Sequence, residues 1–294
     1  MIDELFDYIN YLDVKKVIDD RSLNKEVWEA FSGWVKSRES ETGNLRVLEI
    51  GAGIGTMIER LLDSSILGKC HYIALEPEAS FKDAAKLRLR DWSESHELSF
   101  KILAPEIWLI VGDELNLTIE WLVDSAENIT GLFKDNSFDL LLSHAVVDLL
   151  PVPIIMPDIL KKLQPQGAYF FSLNFSGETK FEPRHQQDDE ISRLYHADMD
   201  KRFPTLTWQP SLTGLGLSKC LENYGCKSVV DGESNWLLGI DDRQFIENIL
   251  ETIHKALDGL PGLDVWLAQR SEQNAKGQLM LEISNRDCFG LKHS

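Results

Sequence analysis

VLEIGAGIGTMIERLL, residues 47–62, is the stretch that decides the fold. Its apolar beginning predicts a buried strand, and the spacing of apolar residues after Thr56 predicts a helix. Gly51, Gly53 and Gly55 lie between these two elements, where glycine permits positive φ and lets a ligand approach the main chain closely. Because the first turn of a helix presents unpaired amide groups, this strand, turn and helix together predict a ligand-binding site.

Segments with strand and helix character alternate from this stretch onward. The predicted strands cover residues 46–50, 71–75, 98–103, 138–143 and 168–173, and the predicted helices cover residues 56–62, 78–92 and 154–163. Alternation of this kind is typical of a doubly wound α/β fold, in which a mostly parallel sheet carries helices on both faces. We therefore predict an α/β protein.

Further elements flank this series. Two amphipathic helices are predicted before the sheet, over residues 2–12 and in the segment that follows Ser22. Their aromatic residues have helical spacing, which favours core packing over an acceptor pocket; these are Phe6, Tyr8, Tyr11, Trp28, Phe31 and Trp34. After Asn174 a polar stretch covers 176–210, followed by a predicted helix at 211–224, a strand at 226–230, a helix near 242–258 and a final strand at 277–285. We expect the last strand to run antiparallel to the others.

The composition disfavours several classes of function. The 294 residues include 30 basic and 48 acidic ones, giving a formal charge of -18, and such an excess of acids repels a nucleic acid backbone. Apolar runs stay well short of the ~18 residues of a membrane span. The opening segment MIDELFDYIN carries acids where a signal peptide has bases. We therefore expect a cytoplasmic protein that binds neither nucleic acid nor membrane. The four cysteines have no zinc-binding or Cys-x-x-Cys spacing, which indicates free thiols.

The glycine turn departs from the dinucleotide pattern Gly-x-Gly-x-x-Gly, because Thr56 stands where that pattern has its third glycine. With Glu49 before it, EIGAGIG instead resembles the first motif of the class I S-adenosylmethionine-dependent methyltransferases, a superfamily with a seven-stranded, Rossmann-like fold. Later segments resemble further motifs of this superfamily in the same order, namely HYIALE, WLVDSAEN, DNSFDLLLSHAVVDLL and LQPQGAYFFSL. The resemblance covers about residues 45–175, although the turn at Gly167 has a single glycine where the superfamily often has two.

The resemblance implies S-adenosylmethionine as the cofactor. It implies that Glu49 lies near the cofactor's amino acid moiety, Glu76 at its ribose hydroxyls and Asp124 at its adenine amino group. The other implied cofactor-binding residues are Gly51, Ala52, Gly53, Gly55, Ser125, Ala126 and Ser143. A structural role stays open for the three acids, since Glu49 and Glu76 also fit ordinary carboxylates at strand ends and Asp124 fits a helix cap.

The resemblance also implies an organisation of the chain. We expect a seven-stranded sheet whose last strand is antiparallel, with N-terminal helices and a helical insertion before the final strand. Residues 1–294 then form one domain, in which 1–44 are an N-terminal helical extension and 45–175 the cofactor-binding half. Residues 176–294 supply a substrate-side lid, helices and closing strands.

The catalytic residues are harder to identify, because an activated sulfonium methyl group mainly needs alignment and exclusion of water. His144 and Asp148 follow the fourth strand of the series, at the edge where open α/β sheets bind ligands, and are the candidate catalytic residues. Their alternative roles are a ring packed beside the cofactor and a helix-capping charge. The candidate substrate-binding residues are Asn174, His185, Tyr195 and His196. No spacing indicates a metal site.

The preferred hypothesis is methyl transfer from S-adenosylmethionine to a small-molecule acceptor by in-line displacement. The alternative is a protein of the same fold that binds the cofactor or a partner without catalysis. An NAD-dependent oxidoreductase is the third hypothesis, and the early third glycine argues against it. The sequence predicts neither the acceptor atom nor the oligomeric state.

Overall fold

A mixed sheet with helices on both faces forms the centre of the protein. The computed structural model describes the backbone of residues 2–293 and the side chains of residues 8–293. The helices are α1 (Ile2–Ser22), α2 (Lys25–Thr42), α3 (Thr56–Asp63), α4 (Phe81–Ser95), α5 (Ile129–Leu132), α6 (Val152–Lys162), α7 (Asp188–Asp200), α8 (Thr213–Asn223), α9 (Arg243–Ala256) and α10 (Leu263–Ala275). The strands are β1 (Leu45–Ile50), β2 (Lys69–Leu75), β3 (Ser99–Ala104), β4 (Ile107–Val111), β5 (Asn116–Leu122), β6 (Phe138–His144), β7 (Leu163–Glu182), β8 (Cys226–Glu233), β9 (Trp236–Leu238) and β10 (Met280–Lys292).

The strand order is β3-β4-β5-β2-β1-β6-β7-β10-β8, with β9 also paired to β10. Strands β5, β2, β1, β6 and β7 are parallel, whereas β10 runs antiparallel to its neighbours β7 and β8. The predicted doubly wound sheet with an antiparallel last strand is therefore confirmed. The N-terminal helices and the helices before the final strand are confirmed as well.

The order of the strands locates a ligand site. From β1 the chain continues to β2 and β5 on one side, and later to β6 and β7 on the other side. In open α/β sheets, ligands bind outside the carboxyl ends of the strands where the order reverses in this way. The glycine turn after β1, Glu76 after β2 and the segment after His144 of β6 all lie at this edge.

The number of strands and the position of one of them correct the prediction. In residues 2–293 the sheet has ten strands rather than seven. The segment LSFKIL is a strand, but it forms β3, which pairs antiparallel with β4 at the sheet edge. The parallel neighbour of β2 is instead β5. Its buried and half-exposed residues alternate, and this pattern differs from the continuous apolar run that a buried parallel strand normally shows.

The polar stretch 176–210 contains two regular elements that its composition does not predict. Strand β7 continues to Glu182, and helix α7 covers Asp188–Asp200. Only Ile191, Ser192 and Asp188 of α7 are buried, so its narrow contact with the core leaves little apolar periodicity in the sequence. Helix α10 was not predicted either.

Hydrophobic clusters lie on both faces of the sheet, and a third cluster lies under α9 and α10. Phe31 of α2 stacks on Phe170 of β7 with 4.5 Å between ring centroids, and Trp28 packs against the same ring. These two aromatic residues lie in the core, as predicted, whereas the side chain of Phe6 is outside the described residues. Among the helices of residues 2–293, none has the length and apolar character needed to cross a membrane.

Candidate active site

A cavity of about 510 Å³ opens at the carboxyl ends of β1, β2 and β6. Residues that follow β1, β2 and β5 line one part of it, which we call the glycine-turn end. Residues from α1, α7, α9, β9 and the segment after β6 line the other part, which we call the β6 end. The volume is typical of sites for small ligands.

The glycine turn shapes the first of these two ends. Gly51, Gly53 and Gly55 have φ values of 72°, 55° and 78°. A Cβ atom at Gly51 would lie 2.6 Å from Cγ2 of Val146, so this glycine permits contact with the segment after β6. At Gly53 the nearest described atom to a Cβ would be Cδ1 of Leu12, 3.9 Å away. The main chain at Gly53 is therefore open toward the cavity.

Glu76 is held by the same turn. Its Oε2 accepts a hydrogen bond from the amide of Gly53 at 2.8 Å, and its Oε1 accepts one from the amide of Glu78 at 3.0 Å. Burial raises the pKa of Glu76, and these two amides partly offset that effect. Because each carboxylate oxygen can accept a second hydrogen bond, Glu76 can also bind ligand hydroxyl groups.

Glu49 lies in β1 with only 1% of its surface exposed. The hydroxyl of Tyr72 donates a hydrogen bond to its Oε2 at 2.7 Å. Burial raises the pKa of Glu49 to about 8, although Tyr72 and the charge of Arg60 favour the carboxylate. A cation bound beside Glu49 would shift this acid toward its ionised form.

Asp19 connects α1 to the end of β6. Its Oδ2 accepts a hydrogen bond from Nζ of Lys15 at 2.5 Å and lies 3.0 Å from Nε2 of His144. Its Oδ1 accepts a hydrogen bond from the indole of Trp236 at 3.1 Å. Burial opposes the ionised form, but Lys15 and His144 outweigh it and lower the pKa of Asp19 to about 2. The carboxylate of Asp19 is thus charged and fully engaged.

The His144 ring is engaged at both nitrogens. Its Nδ1 lies 2.7 Å from Oγ of Ser172, and its Nε2 contacts Asp19. Burial lowers the pKa of His144 to about 4, so the ring is neutral at pH 7. The carboxylate contact assigns the ring proton to Nε2, which leaves Nδ1 to accept from Ser172. Neither nitrogen of His144 is free to bind a ligand in this arrangement.

Asp148 contrasts with His144. Among the described residues, no donor reaches the buried Oδ1 of Asp148. The guanidinium of Arg202 contacts the main-chain carbonyl of Asp148 at 3.5 Å rather than its side chain. Burial raises the pKa of Asp148 to about 6, so the group is mostly a carboxylate at pH 7.

The structure brings together many of the predicted site residues. The cavity is lined by Glu49, Gly51, Ala52, Gly53, Glu76, Ser125, Ala126, His144, Asp148 and Tyr195. The predicted residues outside its lining are Gly55, Asp124, Ser143, Asn174, His185 and His196. Of these, Gly55 is a packing position, because a Cβ there would lie 3.4 Å from Cβ of Ala85 in α4.

Two of the outlying residues bind nearby main chain or side chains. Oδ1 of Asp124 accepts hydrogen bonds from the amide of Ser125 and the side chain of Asn128, both at 2.7 Å. The hydroxyl of Ser143 donates to the carbonyl of Ile50 at 3.1 Å and so links β6 to β1. Asp124 therefore orders the turn before residues 126–128, whereas the cap of that short helix is Ser125, whose hydroxyl accepts from the amide of Glu127.

The other three belong to β7 and the region after it. Asn174 lies inside the long strand β7, where its amide donates to the carbonyls of Phe171 and Arg286. Nδ1 of His185 accepts a hydrogen bond from the amide of Gln187, and Nε2 of His196 lies 3.2 Å from Oγ1 of Thr179. These three residues thus form hydrogen bonds within the protein and lie outside the cavity lining, although Oδ1 of Asn174 has no partner among the described residues.

Comparison with known proteins identifies the family. The model of the family described as "Putative S-adenosyl-L-methionine-dependent methyltransferase" matches residues 28–278. The chain belongs to this family. The predicted superfamily, enzyme class and cofactor, S-adenosylmethionine, are thereby confirmed in preference to an NAD-dependent oxidoreductase. No curated protein matches the sequence.

Two solved structures are similar to this methyltransferase, and the first of them supports its fold. A "putative methyltransferase" from Bacillus halodurans C-125 is similar, with a TM-score of 0.51 and 12% identity over 90% of this chain and 99% of that chain. A "putative sarcosine dimethylglycine methyltransferase" from Galdieria sulphuraria has 15% identity and a TM-score of 0.44, over 92% of this chain and 88% of that chain.

The cavity suits the cofactor of the methyltransferase family. S-adenosylmethionine supplies a methyl group on a positively charged sulfur and also carries an ammonium group and ribose hydroxyls. The open main chain at Gly53 leaves space for such a ligand, and the acceptor groups Glu49 and Glu76 line the same space. The glycine-turn end therefore has the shape and the acceptors that this cofactor requires.

Several residues of the methyltransferase cavity were not predicted as site residues. In α1 they are Tyr8, Tyr11, Leu12, Lys15 and Asp19. Their spacing of three or four residues places them on one face of the helix. A signal was present in the sequence, because a helix face that combines tyrosines with Lys15 and Asp19 is unusual for a purely structural core. Arg202, Trp236 and Thr252 also line the cavity but have no comparable signal.

Proposed function

We propose that this methyltransferase acts on a small-molecule acceptor, which binds in the β6 end of the cavity and is methylated by in-line displacement. The main support is that the glycine turn and the unpaired carboxylate of Asp148 line one cavity under α1. A cavity walled by helices favours a small acceptor over a macromolecular surface. The charge of -18 further disfavours a nucleic acid acceptor.

The glycine-turn end would hold the cofactor. Glu49 would pair with its ammonium group, and Glu76, already oriented by the amide of Gly53, would accept its ribose hydroxyls. Ser125 and Ala126 would border the adenine. Asp124 would contribute indirectly, because its Oδ1 orders the turn that presents Ser125.

The β6 end would hold the acceptor. Asp148 has the free acceptor atom and would bind the acceptor directly, with Tyr195 beside it. His144 would act as a positioning residue, since both its nitrogens are bound within the protein. The division of the chain follows the same scheme, with residues 45–175 serving mainly the cofactor and residues 176–294 closing the acceptor side.

The chain would accelerate transfer mainly by orientation. Helix α1 covers the cavity, which excludes water and holds the acceptor in one position relative to the cofactor. The hydrogen bond between Asp19 and His144 holds α1 against the end of β6, so this helix keeps a fixed position relative to the acceptor site.

Transfer of a labelled methyl group tests the proposal. The protein is incubated with methyl-labelled S-adenosylmethionine and a cell extract separated into small-molecule, protein and nucleic acid fractions. We expect label in the small-molecule fraction, and its loss in the Gly53→Ala variant, whose new Cβ would enter the cofactor space. Label only in protein or nucleic acid would contradict the proposal.

A further inference from the structure

The carboxylates of the cavity differ in what already binds them. In the described chain the lining contains four, namely Asp19, Glu49, Glu76 and Asp148. Asp19 is satisfied by Lys15, His144 and Trp236. Glu49 and Glu76 lie at the glycine-turn end, which the proposed function assigns to the cofactor. Asp148 is the carboxylate that remains for the acceptor.

The environment of Asp148 leaves its Oδ1 without a direct partner, although the nearby charges of Arg202 and Lys15 oppose the effect of burial on its pKa. The ammonium of Lys15 pairs with Asp19 at 2.5 Å, and Arg202 binds the main-chain carbonyl of Asp148. The buried Oδ1 has no donor from the described residues. A half-buried carboxylate whose inner oxygen has no donor is stabilised when a cation or a strong donor binds to it.

Two tyrosines lie near this carboxylate. Tyr11 and Tyr195 line the same cavity, and the charge of Asp148 adds to the effect of burial in raising the pKa of both phenols. Both tyrosines therefore stay neutral over the physiological pH range. Tyr11 is itself fixed by stacking between Tyr8 and Phe245, with centroid distances of 5.6 and 5.3 Å. A carboxylate oxygen without a donor, beside neutral aromatic side chains, suits an ammonium group attached to an apolar carbon skeleton.

We propose that the acceptor is an aliphatic amine, which enters the cavity as an ammonium ion and binds to the carboxylate of Asp148. This inference rests on the proposed function. The overall negative charge of the protein attracts cations to the cavity, and the tyrosines contact the carbon skeleton next to the nitrogen. A neutral alcohol could donate one hydrogen bond to Asp148 but would bring no positive charge to it.

The proposed transfer requires one group that accepts a proton and one that keeps the electron pair of the broken bond. The amine nitrogen loses one proton, and the Asp148 carboxylate is placed to accept it, so the nitrogen has a lone pair for attack. One nitrogen–carbon bond then forms as one sulfur–carbon bond breaks, and the electron pair of the broken bond stays on sulfur. The products are the methylated amine, S-adenosylhomocysteine and one proton, which Asp148 releases to solvent.

Binding to matched ligands tests the inference without turnover. Calorimetric titrations use the protein saturated with S-adenosylhomocysteine and a series of ligands from propylamine to phenethylamine, each paired with the alcohol of the same skeleton. We expect at least one amine to bind about 10- to 100-fold more tightly than its alcohol, as for a charge-assisted hydrogen bond. If no amine exceeds its alcohol, the inference is overturned.

A variant assigns the effect to Asp148. Asp148→Asn keeps the shape of the side chain and removes its charge, so the amine should lose its advantage while S-adenosylhomocysteine binds as before. Asp189→Asn is the matched control, because Asp189 is exposed outside the cavity and should leave amine binding unchanged. Equal amine affinity in Asp148→Asn and the native protein would contradict the inference. If Asp148→Asn fails to fold, the titrations of the native protein still decide.

The labelled-methyl assay separates this inference from the proposed function. Label on nitrogen in a small molecule supports both. Label on oxygen or carbon alone leaves the proposed function intact and overturns the amine assignment.

Discussion

The glycine-turn end of the cavity consists of main chain and strand-end carboxylates supplied by neighbouring parallel strands. The β6 end is assembled from α1, α7, α9, β9 and the segment after β6, each of which contributes one or a few side chains. The first end is organised by backbone hydrogen bonds such as that from Gly53 to Glu76, whereas the second depends on side-chain contacts centred on Asp19. The proposed cofactor site is thus part of the sheet, while the proposed acceptor site depends on how separate helices pack against the sheet.

The largest effect is expected at the side-chain network of the β6 end. Asp19→Asn removes the charge that compensates buried Lys15 and turns one of the two accepting oxygens of Asp19 into a donor. We expect a loss of about 3–5 kcal/mol in the free energy of unfolding, as when one partner of a buried ion pair is removed. Urea denaturation measures it. A change below about 1 kcal/mol would show that α1 does not depend on this network.

Two glycine variants separate packing from binding at the other end. Gly51→Ala combines positive φ with a clash against Val146, so we expect a loss of about 2–4 kcal/mol in stability. Gly53→Ala should lower stability by only about 1–2 kcal/mol, the cost of a positive φ at a residue with a side chain. Its new methyl group would face the cavity, however, and should weaken S-adenosylhomocysteine binding more than tenfold. Denaturation and calorimetry on both variants give the comparison. Equal losses of stability in the two variants would contradict the prediction that only Gly51→Ala clashes with a neighbouring side chain.

The carboxyl group of Glu49 should lower the free energy of unfolding but strengthen cofactor binding. Its pKa is raised from the usual 4.5 to about 8, so between these pH values the unfolded chain releases a proton that the folded protein keeps. Because of Glu49, the free energy of unfolding should therefore decrease as pH rises from 4.5 to about 8. Glu49→Gln should remove this slope and be more stable than the native protein at pH 8 by about 1–3 kcal/mol.

The same variant should bind the cofactor less well. In the native protein, S-adenosylmethionine affinity should increase from about pH 6.5 to about pH 8.5 as Glu49 ionises, while Glu49→Gln should bind at least tenfold more weakly with no such increase. Titration calorimetry at several pH values measures both. A pH dependence that persists in Glu49→Gln would assign it to another group.

The smallest effect is expected at the surface of α2. Lys25 and Glu29 form an exposed pair at 3.8 Å, away from both ends of the cavity. Lys25→Ala should change the free energy of unfolding by less than about 0.5 kcal/mol and leave cofactor binding unchanged. A larger effect on binding would show that α2 takes part in the site.

The two ends also differ in how far the sequence predicts them. Residues 47–56 carry their strand, turn and helix in one continuous motif, so the glycine-turn end could be read from local pattern. The same resemblance predicts Asp124 as a direct cofactor contact, and this stays a prediction; in the structure its Oδ1 accepts from the amide of Ser125, and the next two residues, Ser125 and Ala126, line the cavity.

The β6 end depends on contacts between residues far apart in the chain. His144 meets Asp19 across 125 positions, and no spacing in the sequence encodes such a pair. The polar composition of residues 176–210 concealed both the extension of β7 and helix α7, because each buries only a narrow face. For the same reason, Asn174 was expected at a strand end but lies within β7, with its amide bound to main-chain carbonyls.

Hydrogen exchange with and without S-adenosylhomocysteine tests most directly whether the cofactor binds at the glycine turn beneath α1. Binding should slow exchange in residues 51–56 and 76–78 and in the part of α1 that lines the cavity, while the distant hairpin of β3 and β4 should be unchanged. Slowed exchange elsewhere, with the glycine turn unaffected by the bound ligand, would contradict this account.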